Sequence, residues 1–419
     1  MSRKFCNILN LEYFIAKRLA STPNDKSTIS APITKIAITA IALGIVMMIV
    51  AVATGVGLQH KIRDKVSAFN GQIIISSFTG NESDVSTEPI NLNQKFYPKF
   101  KTISDINHIQ AVITKAGIIR TETAFEGIIF KGVGKDFLWK NIEDFIVEGA
   151  IPNVNNQLNN EVVISQFLAN RLKLNIGSSF NTFFIKENEN KLPNSRKFKV
   201  VGIYNSGFQE FDATYVIGDI RHLQRINKWN ENQIGSFEVF VNDFSKIQQK
   251  EQEIYNEIGA TLNAKSIVNK YYYIFDWLKL FDFNILIIIV VMIAVSVINI
   301  IVALLVLILE KVQTIGILKS LGANNRVIRK IFIYNVLHLI LKGLLIGNII
   351  GISLLFIQKY FKIIKLNPEN YYVTTAPVEI NPLHILGINL ITIFISFLFL
   401  IIPSIIITKI SPAKNIKFQ

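Results

Sequence analysis

The chain has 419 residues, of which 50% are hydrophobic and 18% are charged, and its mean hydropathy is +0.37. Soluble proteins carry about a quarter charged residues, so this composition argues against an ordinary soluble enzyme and predicts membrane segments joined to soluble domains. The single cysteine, Cys6, excludes a disulfide framework and a cysteine-based zinc site. The five histidines are scattered without ligand spacing, so we expect no metal site.

A short amphipathic helix is predicted over residues 9–20. Its apolar positions include Leu11 and Phe14, and Lys17 and Arg18 supply the basic face. We expect it to lie on the inner membrane surface, and two alternatives remain open: a helix packed on a partner, or a frayed terminus.

Four long apolar stretches follow, at residues 36–58, 283–309, 331–357 and 383–408. About 20 apolar residues suffice for a helix to cross the hydrocarbon core, so each stretch is predicted to be a transmembrane helix. The chain is therefore divided into a terminal segment 1–35, a large segment 59–282, two loops at 310–330 and 358–382, and a tail at 409–419.

The distribution of basic residues predicts the orientation of the chain in the membrane. Residues 1–35, 310–330 and 409–419 together hold 14 basic and 3 acidic residues, whereas residues 57–284 hold 26 basic and 25 acidic ones. The positive-inside rule places both termini and the 310–330 loop in the cytoplasm, and the segments 59–282 and 358–382 outside. The sequence pI of 9.6 thus reflects membrane flanks that face anionic lipid, and no nucleic-acid partner is expected.

The segment 59–282 is predicted to be an α+β domain. A polar, turn-rich run at 186–196 lies between two predicted strands and indicates an exposed hairpin. The predicted strands are 72–78, 124–131, 161–164, 180–185, 198–204 and 237–241, and the predicted helices are 103–115, 165–172, 220–227 and 244–258.

No catalytic motif is found in this domain. The run Gly132–Asp136 fails as a phosphate loop, because Ile129 stands where the first glycine is required and Asp136 stands where Ser or Thr must reach magnesium. Serine-hydrolase and zinc-protease signatures do not occur. We therefore expect a non-catalytic subunit with no catalytic residues.

The third apolar stretch carries two unusual features. Gly343, Gly347 and Gly351 recur every four residues, which predicts a smooth helix face for close packing. Lys342 is a charge near the middle of the stretch, and it either reaches an interface or faces a polar cavity.

Three blocks resemble the FtsX-like permeases of ABC transporters, and among them the lipoprotein-releasing permeases of the LolC/LolE type. The blocks are 11–18 with the following apolar stretch, Gly202–Gly207 with Glu210–Asp212, and Glu310–Ala323 with Arg326 and Arg329. The third is similar to the family motif E-K-x-x-E-I-G-I-L-K-A-L-G-A. Thr314 stands where the family usually has Glu.

The resemblance implies four transmembrane helices with a large periplasmic α+β domain of the MacB-like core type between the first two. It implies partners: a separate ABC ATPase that holds ATP and Mg²⁺, a second permease chain (itself or a paralogue), lipoprotein substrates and a periplasmic lipoprotein carrier. This chain itself would bind no cofactor. The residues expected to couple to the ATPase are Glu310, Lys311, Ile315, Gly316, Ile317, Leu318, Lys319, Leu321, Gly322 and Ala323. The candidate carrier-binding hairpin residues are Lys186, Glu187, Asn188, Leu192, Pro193 and Arg196.

Other functions remain open. A MacB-like permease for drugs or peptides would be expected to carry its own ATPase at the N-terminus, and an FtsX-like regulator of cell-wall hydrolases would be expected to have a smaller external domain. A membrane-tethered sensor or enzyme would need a larger cytoplasmic module than the short segments here.

Overall fold

The computed structural model describes residues 12, 14–15, 30–80, 83–122, 124–155, 157–184 and 193–404. It forms two compact units. The helical unit comprises Met1–Leu58, Leu278–Ile364 and Ala376–Gln419, and the α+β unit comprises Gln59–Trp277 and Lys365–Thr375. Most of the predicted helix at 9–20 and all of the tail 409–419 lie outside the described residues.

Among the described residues, four helices are long and apolar enough to cross a membrane, as the sequence predicts. In the chain-order numbering given next, these four are α1, α8, α10 and α12. The helices are α1 (Ser30–Asn70), α2 (Lys140–Glu143), α3 (Gln166–Leu172), α4 (Gln209–Asp212), α5 (Ile220–Asn227), α6 (Ile247–Glu257, after a 3-10 turn at Phe244–Lys246), α7 (Ile267–Lys270), α8 (Tyr272–Glu310), α9 (Val312–Ser320), α10 (Asn325–Phe361), α11 (Pro368–Tyr371) and α12 (Pro382–Ser404).

In the described part of the α+β unit, ten of the twelve strands form one sheet, in the order β12-β1-β11-β3-β4-β9-β6-β8-β5, with β7 between β3 and β8. The remaining pair, β2 and β10, is separate. The strands are β1 (Ile73–Ser77), β2 (Ile90–Asn91), β3 (Ile106–Arg120), β4 (Phe125–Val133), β5 (Ile146–Gly149), β6 (Glu161–Ser165), β7 (Ser179–Phe184), β8 (Asn194–Tyr204), β9 (Tyr215–Asp219), β10 (Gln233–Ile234), β11 (Ser236–Val241) and β12 (Leu262–Ser266).

Strand β7 closes part of this sheet into a ring. Six strands, β3, β4, β9, β6, β8 and β7, pair successively until β7 returns to β3. Aromatic side chains fill the interior, because alternate residues of each strand point inward. Phe130 stacks on Phe198 with ring centroids 4.7 Å apart, and Phe184 meets Phe130 edge to face at 5.9 Å.

The helix predicted at 103–115 is wrong, because residues 106–115 belong to β3. Strand β3 is the longest of the sheet and lies between β11 and β4. It buries consecutive residues, Ile109 through Ile113, so the apolar positions form a run without alternation. Such a run also matches helical spacing, and periodicity alone does not distinguish a buried strand from a helix.

A buried ion pair ties β4 to β11 across β3. Lys131 Nζ lies 2.6 Å from Glu238 Oε1, and Gln110 Nε2 of β3 donates to Glu238 Oε2 at 2.8 Å. Lys131 also donates to the carbonyl of Phe69, near the end of α1. Burial lowers the pKa of Lys131, and Glu238 opposes that shift. A charge this deeply buried requires its partner, so the pair fixes the register of the three strands.

In the helical unit, α1, α8, α10 and α12 share one apolar core. Three of these helices each contribute buried side chains to it, for example Ile41 of α1, Leu304 of α8 and Phe332 of α10. Ser296 of α8 approaches Gly44 of α1 so closely that a Cβ at Gly44 would lie 2.8 Å from Ser296 Oγ. Close helix approach through small residues is typical of membrane helix packing.

Candidate functional site

Helix α9 forms the loop between the second and third membrane-crossing helices. It follows α8 directly and ends before Gly322, whose φ of +89° is in the left-handed region. Glycine adopts this conformation without a steric penalty, and here it terminates the helix. The loop thus contains the short helix that the sequence predicts.

The structure divides the predicted ATPase-coupling residues into two faces. Ile315 and Gly316 are buried, and Ile315 packs in the core formed by the membrane-crossing helices. Leu318 and Ala323 pack against that same core while partly exposed. These residues hold α9 against the helical unit, so they are anchoring residues.

The opposite face of α9 is exposed. Ile317 is 53% exposed and Leu321 is 79% exposed, and Gln313 lies one turn before Ile317 on the same face. No residue in the described part of the chain covers this stripe. Two large aliphatic side chains on an exposed helical stripe are suited to a groove in a partner protein.

Two of the predicted coupling residues are charged and lie just before this helix. Glu310 and Lys311 form a partly exposed ion pair, with Lys311 Nζ 3.5 Å from Glu310 Oε1. Exposed pairs of this kind contribute little stability. Lys319 is half-buried, near the end of α9, and Gly322 is exposed.

The predicted carrier-binding hairpin is only partly described. Strands β7 and β8 are antiparallel and pair up to Phe184 and Asn194, so the intervening residues connect the two strands of a hairpin. Residues 185–192, which include Lys186, Glu187, Asn188 and Leu192, lie outside the described residues. Pro193 is exposed, and Arg196 is half-buried in β8 opposite Thr182.

An apolar ledge, which the sequence does not predict, lies beside that hairpin. Phe125 is 76% exposed and Ile118 is 38% exposed, and both line one groove with Phe183 and Pro193. These residues come from the neighbouring ends of the β3–β4 and β7–β8 hairpins. Their sequence signal is weak, because an isolated exposed aromatic residue occurs in many strands.

The three predicted packing glycines lie against α1. A Cβ at Gly343 would lie 2.7 Å from Ile41 Cγ2, and one at Gly347 would lie 2.8 Å from the Ala42 carbonyl oxygen. Gly351 is less tight, with its nearest atom 3.4 Å away on Ile49. Increasing residue numbers in α10 therefore match increasing numbers in α1, so the two helices are parallel.

A pair of asparagines joins α10 to α12. Asn348 Nδ2 donates to Asn389 Oδ1 at 2.8 Å, and Asn389 Nδ2 donates to Asn348 Oδ1 at 3.0 Å. The second amide hydrogen of each serves its own helix, at Leu344 O and Ile385 O. Both side chains thus satisfy their donors inside an apolar region, where an unsatisfied amide is costly.

The second resemblance block, Gly202–Asp212, folds into a tight turn around a carboxylate. Asp212 accepts hydrogen bonds from Ser206 Oγ at 2.6 Å, from Ser206 N at 3.1 Å and from Gly207 N at 3.0 Å. Gly207 has a φ of +64°. Burial raises the pKa of Asp212, and these hydrogen bonds act in the opposite direction.

This turn holds the segment 365–375, which is part of the loop predicted at 358–382. Tyr372 stacks on Phe208 with ring centroids 4.7 Å apart, and Trp277 meets the Tyr372 ring edge-on at 5.5 Å. Lys65 Nζ donates to the Tyr372 carbonyl at 3.0 Å. We call Lys65, Gly207, Phe208, Trp277 and Tyr372 the Tyr372 junction. All five belong to the α+β unit.

Comparisons with known proteins agree with this architecture. The MacB-like periplasmic core domain family matches residues 34–256, which is more than half of the chain, and the FtsX-like permease C-terminal family matches residues 286–412. Four apolar helices in one chain with such a domain define a membrane permease subunit of the ABC-transporter class. The chain belongs to the FtsX-like permeases that carry a MacB-like periplasmic core domain.

Two relatives align over nearly their whole length. The lipoprotein-releasing system transmembrane protein LolE of Haemophilus influenzae is 24% identical over 422 residues, which cover 97% of this chain and 99% of that protein. The protein LolC of Buchnera aphidicola subsp. Schizaphis graminum is 24% identical over 403 residues, which cover 90% and 92%.

Two solved structures are similar to part of the chain. The extracellular domain of the noncanonic ABC-type transporter YknZ from Gram-positive bacteria is 12% identical, with a TM-score of 0.31, and covers 47% of this chain and 100% of that chain. The periplasmic region of MacB from Actinobacillus actinomycetemcomitans is 15% identical, with a TM-score of 0.30, and covers 47% and 88%.

Proposed function

We propose that this chain is the permease subunit of an ABC transporter that extracts outer-membrane-directed lipoproteins from the inner membrane and passes them to a periplasmic carrier. The observation that carries the proposal is the alignment with lipoprotein-releasing permeases along nearly the full length of both proteins. A second permease chain, either a copy or a paralogue, completes the complex.

The energy comes from a separate ATPase that binds ATP and Mg²⁺. The exposed stripe of α9, with Gln313, Ile317 and Leu321, docks in a groove of that partner. The buried face, with Ile315 and Gly316, transfers the movement to the membrane helices, because residues packed in a dense core move together. The proposed coupling surface is therefore one face of α9 and not the whole motif.

Extraction needs this energy because lipid anchors are held firmly. Each buried CH2 contributes about 0.8 kcal/mol, so moving three acyl chains out of the bilayer costs tens of kcal/mol. Passive release is too slow without an apolar acceptor. The acceptor is the carrier, which docks at the hairpin between β7 and β8, beside the ledge formed by Phe125 and Ile118.

The test is to deplete the chain in its host and follow one outer-membrane lipoprotein by membrane fractionation. The lipoprotein should accumulate in the inner membrane, and wild-type chain supplied in trans should restore its release. Leu321→Asp should not restore it, because a carboxylate is excluded from an apolar groove, whereas the conservative Leu321→Met should.

Co-purification of the ATPase with the chain tests the coupling surface separately from the identity of the cargo. Leu321→Asp should lose the ATPase while keeping the wild-type unfolding temperature, because the side chain is 79% exposed. If the lipoprotein leaves the inner membrane normally in the depleted cells while drug export or septum formation fails, the proposed lipoprotein cargo is wrong. The MacB-like or FtsX-like alternative then holds.

A further inference from the structure

Two basic side chains lie on the outer face of α10, away from its packing face. His338 and Lys342 are one helical turn apart and both are exposed. The stripe continues with Leu345, which is 62% exposed, and Ile349, which is 59% exposed. The glycines that pack on α1 face a different direction, so this stripe points away from α1.

The packing of the neighbouring helices gives the depth of Lys342 in the membrane. Ser296 lies midway between Asp282 and Glu310, the two acids that bound the uncharged part of α8. It meets Gly44 of α1, and the adjacent residues of α1, Ala42 and Ile45, meet Gly347 of α10. The centre of the bilayer is therefore near Gly347.

Lys342 is five residues before Gly347, and at 1.5 Å per residue it lies about 8 Å toward the cytoplasmic side. Half of the hydrocarbon core is about 15 Å thick, and a lysine stem spans roughly the remaining distance by snorkelling. His338, one turn further, lies at about 14 Å, which is the headgroup boundary. The Lys342 ammonium and the His338 ring thus meet at the inner-leaflet boundary.

The Lys342 ammonium needs an anion at this place. In the described part of the chain, no carboxylate pairs with Lys342. An uncompensated cation at the edge of hydrocarbon is costly, and the inner leaflet supplies phosphate groups with a net negative surface potential. The residues beyond Lys342 are aliphatic and exposed, as an acyl chain requires.

We propose that His338 and Lys342 bind the phosphate of an anionic phospholipid of the inner leaflet, whose acyl chain lies along Leu345 and Ile349. Lys342 supplies the charge, and the His338 ring supplies an N–H donor to a second phosphate oxygen. This site is separate from cargo extraction, because its headgroup lies in the cytoplasmic leaflet, whereas the periplasmic carrier of the proposed function takes lipoproteins from the periplasmic leaflet.

The test measures which lipids stay bound to the purified full chain. The chain is equilibrated in mixed micelles with equal amounts of phosphatidylglycerol and phosphatidylcholine, and native mass spectrometry counts the lipids retained. Lys342→Met should lower the ratio of phosphatidylglycerol to phosphatidylcholine roughly fivefold, the change expected from one basic group at a membrane surface. Lys342→Arg should keep the ratio.

Lys359→Met is the matched control, since Lys359 is exposed near the other end of the same helix and lies about 18 Å beyond Gly347, outside the hydrocarbon core, where water solvates its ammonium. It should keep the wild-type ratio, and all variants should keep the wild-type unfolding temperature. The proposal is overturned if Lys342→Met retains phosphatidylglycerol like the wild type, or if inorganic phosphate at equal concentration displaces it, since the site would then bind a soluble anion. It is also overturned if Lys342→Met leaves the lipid ratio unchanged and dissociates the chain into monomers, since a second copy would then cover this face.

Discussion

The ring of Tyr372 lies on the ring of Phe208, with 4.7 Å between centroids and 19° between planes. The two residues come from segments far apart in the chain, a turn of the β sheet and the loop after α10. Offset ring stacking adds energy beyond the burial of area. The contact therefore fixes segment 365–375 on the α+β unit.

Replacing Tyr372 by Ala should release this segment. Hydrogen exchange of the amides of residues 365–375 should become faster, because the Phe208 and Trp277 contacts are lost together. A double-mutant cycle with Phe208→Ala should give a coupling energy of about 0.5–1.5 kcal/mol. Tyr371→Ala is the control, since Tyr371 is adjacent and 39% exposed. Equal exchange in both variants would show that the stacking does not hold the segment.

The Tyr372 junction is a part of the structure that the sequence does not predict. The turn at Gly202–Asp212 was recognisable as a motif, but the residue that it holds was not. Lys65 and Tyr372 are 307 positions apart. No periodicity connects such residues, and the segment around Tyr372 has no apolar pattern of its own. The contact arises from tertiary structure alone.

The membrane helices were predictable because the bilayer imposes length and apolarity on them. The same reasoning placed Lys342 near the middle of its own stretch, where its role stayed open. Only the register of α1 and α8 against α10 places Lys342 on the N-terminal side of the level at which these three helices meet, near Gly347. A span counted along one helix does not give depth, because the apolar part of α10 extends beyond the bilayer core.

Strand β3 illustrates a different failure. Its burial on both faces removed the alternation by which strands are recognised, so its apolar run matched a helix. Strands with one buried face, such as β7 with its alternating exposure, were found from sequence. Information about the neighbouring strands β11 and β4 was needed, and that information is not local.

Gly347→Ala should destabilise the helical unit. The added methyl group would lie 2.8 Å from the Ala42 carbonyl oxygen and from Ile45 Cβ, so α1 and α10 must separate. Overpacking of this kind costs about 1–3 kcal/mol. The unfolding of the purified chain in detergent, followed by accessibility of a cysteine introduced on α1, measures the change.

Gly387→Ala is the matched control, because it is also in a membrane-crossing helix but has no heavy atom within 4 Å of the added Cβ. It should be neutral or stabilising, since alanine favours helix more than glycine by about 1 kcal/mol. If both variants behave alike, the glycine face does not determine helix packing.

Asn348→Leu should weaken the contact between α10 and α12. The change removes two interhelical hydrogen bonds and leaves the Asn389 amide without its partner. Double-mutant cycles for polar pairs in membrane proteins average about 0.6 kcal/mol and reach about 1.7 kcal/mol, and the reciprocal geometry predicts a value in the upper part of that range. Asn299→Leu is the control, because Asn299 is half-buried and its side chain donates within its own helix, to Val295 O. A coupling energy near zero between positions 348 and 389 would contradict the prediction.

The α+β unit should lose stability as the pH falls. His222 is buried against Phe198, with its Nε2 2.8 Å from the Asn159 carbonyl oxygen. Burial lowers the pKa of His222 below 6.5, so the folded state holds this ring neutral at a pH where the unfolded chain is already protonated. The stabilising contribution is full above pH 6.5 and is lost as the pH falls through the lowered folded-state pKa.

Within that window, one such group changes the free energy of unfolding by up to about 1.4 kcal/mol per pH unit. The three tryptophans, Trp139, Trp229 and Trp277, all lie in the α+β unit, so their fluorescence follows its unfolding in the full chain. The unfolding temperature should fall more between pH 7 and pH 5 for the wild type than for His222→Gln, which can still donate to the Asn159 carbonyl but does not titrate. An identical pH dependence in the two proteins would assign the acid sensitivity to other groups, of which Asp212 is not one, because its raised pKa favours the folded state at low pH.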